Sequence, residues 1–192
     1  MASHVNTPTL LLPAIRGQMG DWVYYVSVLK MKDAAERVKY AEEIHESRTL
    51  NDFLQRRITK RSKTISDYLI QQPQRLFNAL VVGVYEGNPR FAELALRATE
   101  ERGESMLSEQ AETLEGMLGY LILNGNERLF AIDGQHRIVG IRDALRSESG
   151  LADEEVSVIF IGHSNTMDGK KRTSGMTQKY RYNILTTKRN LL

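Results

Sequence analysis

The stretch GYLILNGNERLFAIDGQHRIVGIRDALRSESGLADEEVSVIFIG, residues 119–162, decides the fold. Two apolar runs flank Asn124-Gly125-Asn126, a short-range hairpin signal. Asp133-Gly134-Gln135-His136-Arg137 follows at once. Beyond it Ile138, Ile141, Arg142 and Leu145 recur at helical spacing, and the helix is expected to stop near Gly150. VSVIFIG (156–162) is apolar throughout and reads as a strand. Strand, tight turn, helix and strand make a βαβ-like unit inside an α+β domain.

Working outward, TLLLPAI (9–15) reads as a strand, with Pro13 pointing to a sheet edge. RGQMGD supplies turn chemistry, and WVYYVSVL (22–29) is rich in β-branched and aromatic residues, so the two segments predict a hairpin. Asp33 suits an N-cap, and Ala34, Val38, Ala41 and Ile44 follow near a 3.6 period. Leu50 to Ile58 reads as a short helix; Ile65, Tyr68 and Leu69 belong to another that ends before Pro73. LFNALVVGVY (76–85) is a continuous apolar run, expected as a strand buried on both faces. EGNP breaks it, and 90–119 alternates charge with Leu, Ala and Met in a mainly helical pattern.

The chain has 192 residues, 41% hydrophobic and 26% charged, which fits one globular domain. It has no cysteine, which excludes disulfides, thiolate metal sites and cysteine nucleophiles and suits a reducing cytoplasm. No apolar run approaches the roughly 18 residues of a membrane span. Net charge is +2, unevenly divided: residues 165–192 hold seven Lys or Arg and one acid, Asp168. The expected division is a domain over 1–164 and a basic tail over 165–192. Such a tail, with Lys170, Lys171 and Arg172, suits a polyanion, or is simply solvated. A second cluster, Arg56, Arg57, Lys60, Arg61 and Lys63, lies on a predicted helix, as a nucleic-acid contact or a solvated face. Trp22, Tyr24 and Tyr25 read as core packing, with outward-facing members able to stack a base; Tyr180 and Tyr182 interleave with Lys179 and Arg181. The four histidines are dispersed, and no P-loop, GxGxxG or G-x-S-x-G pattern is present.

The 133–137 turn has two readings. Gly134 permits φ > 0 and close backbone approach, and a helix start offers free amides and the positive end of a dipole, so phosphate fits there. Arg137 suits bidentate phosphate contact, Asp133 a divalent ion, and Gln135 or His136 the orientation of a water. In the plainer reading Asp133 is an N-cap, Gly134 a turn residue, His136 a surface residue, and Arg137 a partner for a carboxylate.

AIDGQHRIVGIRDAL (131–145) resembles the signature of the DGQHR-domain proteins, whose best-known type is DndB, and more distantly the ParB/sulfiredoxin-like superfamily. LPAIRGQMGDWVYYVSVLK (12–30), LNDFLQRRITKRSKTISDYLI (50–70) and QRLFNALVVGVYEG (74–87) agree, so the resemblance covers about 10–165. It implies a ParB/sulfiredoxin-like mixed sheet with a strand–turn–helix unit and flanking helices. It also implies a nucleotide-phosphate site at Asp133, Gly134, Gln135, His136 and Arg137, with Gln55, Arg56 and Arg61 as secondary candidates. The implied setting is bacterial DNA modification of the phosphorothioation type, or phage defence, with DNA, nucleotide and other proteins of that system as partners and no membrane. The family pattern is lost after GKKR (169–172), so the chain is expected to be short relative to the family.

Two functions follow as expectations. One is an NTPase, with ATP and Mg²⁺ as cofactors, Asp133 as metal ligand and Asp133, Gln135, His136 and Arg137 as catalytic residues. The alternative is a non-catalytic DNA-binding transcriptional regulator or adaptor that uses the 56–63 cluster and the tail.

Overall fold

The computed structural model describes residues 8–20, 22–40, 61–94, 116–165, 171–172 and 179–182. The described part is mixed α+β. β1 (Leu10–Met19) and β2 (Trp22–Lys30) form the predicted antiparallel hairpin, turning at Gly20 with φ of 58°. The strand runs through RGQM, so the reversal is tighter than RGQMGD suggested. Pro13 does not mark an edge: β1 lies between β2 and β6 (Leu118–Leu123). Proline is tolerated because the β2 ladder begins one residue later, at Ala14, and Ser27 Oγ donates to the Pro13 carbonyl at 2.7 Å.

α1 (Met31–Arg37) continues directly from β2 with Lys30 as N-cap. Asp33 therefore sits in the first turn, 3.5 Å from Arg37, and is not the cap. The helix stops early because Val38 and Lys39 become β3, paired in parallel with β7 (Arg128–Asp133). Arg142 holds that exit by donating to the carbonyls of Ala35 and Val38 at 2.8 and 2.9 Å. Ala41, Ile44 and the 50–58 helix lie outside the described residues. Residues 61–71 form α2, which ends before Pro73 as expected. β4 (Leu80–Tyr85) is the buried apolar strand, starting four residues later than the run itself. Residues 90–94 correct the helical expectation: Arg90–Leu94 is β5, with Phe91 and Glu93 buried and the alternate residues half-buried. Its charged residues hid a period of two inside an apparently helical pattern.

α3 (Gln135–Ser147) leads through a 3₁₀ turn (Ser149–Asp153) to β8 (Glu155–Asn165). The order across the sheet is β5-β6-β1-β2-β8-β4-β7-β3, with β10 (Lys179–Tyr182) parallel to β5 and β9 (Lys171–Arg172) paired to β8. Two expectations fail here. β6 and β7 do not pair, and β4 lies between β7 and β8, antiparallel to the first and parallel to the second. The unit is therefore not a parallel βαβ. Instead of closing a hairpin, Asn124 and Gly125 donate their amides to Glu127 at 3.1 and 2.9 Å.

This short link dictates the sheet's shape. Five inter-strand gaps separate β6 from β7, about 24 Å if flat. The chain from Leu123 to Arg128 reaches at most about 18 Å. The sheet must curl. Its enclosed side chains, among them Tyr25, Leu121, Val82 and Phe160, form one core with Ile138, Ile141 and Ala144 of α3 and Ala34 of α1.

Two carboxylates tie the helical side to the strands. Asp153 accepts from both Lys30 and Lys32 at 2.9 Å, which lowers its pKa to about 2. Glu154 takes a two-pronged contact from Arg75, which holds its carboxyl below the usual range. A carboxylate depressed in the fold adds stability above its unfolded pKa and loses it as pH falls through the folded value. Glu154→Gln is expected to cost about 1 kcal/mol or less near neutrality, since its carboxylate faces water, and to make the acid side of the Tm–pH profile shallower below about pH 4.5. Thermal melts from neutrality down to about pH 2 check this; an unchanged acid limb would show that the pair carries no linkage.

Candidate functional site

The corner between β7 and α3 is built by glycine. Gly134 has φ of 93° and is the N-cap of α3, and its carbonyl accepts from the amides of Arg137 and Ile138 at 2.9 and 3.0 Å. A Cβ there would lie 2.5 Å from Leu80 Cδ2 and 3.1 Å from Arg137 Nε and Nη2. The turn thus seats α3 directly on the start of β4.

Arg137 points back across this seat. Nη2 donates to Asp133 Oδ2 at 2.6 Å, and Nη1 donates to the carbonyls of Asn78 and, at 3.1 Å, Ala79. The Arg137 side chain is 16% exposed, whereas Asp133 is 70% exposed. The guanidinium is thus committed inward, binding the segment before β4 to the end of β7. Asp133 serves as its partner and makes no cap; among the described residues no side chain caps α3, and its first turn holds no acid. Gln135 and His136 are half-buried on that turn.

The structure brings part of the basic cluster near this corner. α2 crosses α3 at Gly140, where a Cβ would lie 2.6 Å from Ile65 Cγ2 and 3.1 Å from the Ser62 carbonyl. Ser62 is buried, while Arg61 and Lys63 beside it are exposed. Gly140 is six residues beyond Gly134, about 9 Å along the helix. Gln55, Arg56, Arg57, Lys60 and Lys170 lie outside the described residues. Lys171 and Arg172 belong to β9, on the end of β8.

Sequence reasoning missed Asn78, Ala79 and Leu80, whose part in the corner rests on contacts across nearly 60 positions. Gly140 did carry a signal, because glycine inside a helical period often marks close packing. A cleft of about 360 Å³ lies elsewhere, at the seam where β6 passes to β7, between Arg37, Lys39, Glu127 and Arg128; none of residues 133–137 lines it. Among the described residues no three His, Asp or Glu gather as a metal site, and no helix is long and apolar enough to cross a membrane.

Neither a curated protein nor a solved structure matched the chain. A family model did, over residues 12–176, a span that includes all but the first two residues of the hairpin, and α2, β4 and the whole 133–137 corner. The chain belongs to the DndB family, described as DNA-sulfur modification-associated.

Proposed function

We propose that the chain is a DNA-contacting regulator or adaptor of a bacterial DNA sulfur-modification system, working without nucleotide hydrolysis. The carrying observation is the inward commitment of Arg137: a guanidinium held by Asp133 and two backbone carbonyls is not free to neutralise a transferring phosphoryl group. DNA contact falls to Arg61 and Lys63, exposed on α2 beside the corner, with the basic residues at 56–60 and 170–172 as further contributors. DNA affinity measured against salt tests this. Each phosphate contact adds about 0.9 to the slope of log K against log salt, so the Arg61→Ala/Lys63→Ala pair is expected to lower the slope by about two. A flat dependence, or no binding at low salt, overturns the reading.

A second reading is favoured by the uncapped first turn of α3. A nucleotide phosphate, ATP being the natural candidate, would meet the amides of Gln135 and His136, in the manner of the ParB/sulfiredoxin-like turn that the motif resembles. Asp133 alone would hold Mg²⁺ only together with those phosphates. Mg²⁺-dependent phosphate release, lost in Asp133→Asn with the fold intact, would replace the first reading with this one.

A further inference from the structure

The outer surface of β1, β2 and β6 is apolar where antiparallel sheets commonly turn polar residues to water. Leu11, Ile15, Met19, Trp22, Val26 and Tyr120 are 37–73% exposed. The strand register makes them neighbours: Leu11 is opposite Ile122, Pro13 opposite Tyr120, Ile15 opposite Val26 on one side and Leu118 on the other, and Met19 opposite Trp22. The Tyr24 ring lies across Gly17, where a Cβ would come within 2.4 Å of it, so the ring fills the place that a side chain at 17 would take. The alternate, outward positions from Leu11 to Met19, Trp22 to Val28 and Leu118 to Ile122 carry no Asp, Glu, Lys or Arg.

We infer that this face is the interface of a homodimer, two copies packing sheet on sheet about a two-fold axis. Two arguments select a second copy. The six residues together expose the equivalent of about three whole large side chains, on the order of 500 Å². That approaches the roughly 800 Å² per partner of a stable interface and sits at the top of what monomers leave bare. With no charge at the outward positions of the three strands between Leu11 and Met19, Trp22 and Val28, and Leu118 and Ile122, a copy meets no like charge across the axis there. Arg90 of β5, opposite Ile122, and Lys30 at the end of β2 border the patch, so its middle offers nucleic acid no cation.

Trp22 is the chain's one tryptophan and lies within the patch, so it reports directly. Sedimentation velocity over roughly a hundredfold range of concentration should show a species of twice the chain mass. Trp22 emission should shift to the blue and lose acrylamide quenching in step. Ile15→Glu and Met19→Glu alter outward positions and should each weaken the dimer by about a hundredfold or more, with unchanged far-UV circular dichroism. A monomer at every concentration, or a dimer that persists in both variants with Trp22 still quenched, overturns the inference. DNA affinity of the monomeric variants separates this outcome from the DNA reading, because Arg61 and Lys63 lie on α2 rather than on this face.

Discussion

Gly134→Val is expected to destabilise the protein by about 3–5 kcal/mol. Left-handed backbone costs an ordinary residue about 1–2 kcal/mol and a β-branched one more. The new Cβ would also overlap Leu80 Cδ2, and forced overpacking adds about 1–3 kcal/mol. For a domain of this length each kcal/mol lowers Tm by about 2–4 °C, so a fall on the order of 10 °C is the expected measurement. Gly134→Ala should show a smaller fraction of the same loss. A valine variant that melts with the wild type would mean that the corner does not hold α3 on β4.

Arg137→Ala is the second large effect, at about 1–3 kcal/mol. The substitution takes the donor from the Asn78 carbonyl and from the part-buried Ala79 carbonyl, and loses the packing of a largely buried guanidinium, while the carboxylate it leaves is exposed. Asp133→Asn should cost under about 1 kcal/mol, because Asp133 is exposed and Arg137 keeps both carbonyls. This asymmetry separates a clamp from a catalytic pair. Two catalytic residues would leave stability intact and abolish phosphate release alike. Chemical denaturation of both variants, with phosphate release measured alongside, gives the comparison.

The strands and helices were legible where apolar residues run together. β2 and α3 stand in the sequence close to their observed bounds, β4 begins four residues into its apolar run, and β8 runs three residues past its own; β7 ends at Asp133 and α3 begins at Gln135, with Gly134 between them. Pairing was not legible. Asn124-Gly125 announces a reversal, but which edge a strand joins depends on segments far along the chain, and β6 chose β1 and β5. β5 was hidden because Arg90 and Glu93 break the apolar alternation that marks a strand. At the corner the residue types were readable and their roles were not. Arg137 can face a ligand or the backbone at 78–79, and only the fold brings those carbonyls within its reach.

The four-residue link from β6 to β7 has a consequence for how the nascent chain matures. The hairpin of β1 and β2 is translated well before its two flanking partners, since β6 begins 88 residues after β2 ends and β8 begins 125 residues after it. Until then its open edges and its apolar faces have no cover. Such long-range closure slows folding and invites association with other unfinished chains. The late synthesis of β8 therefore sets the moment at which the curl can close.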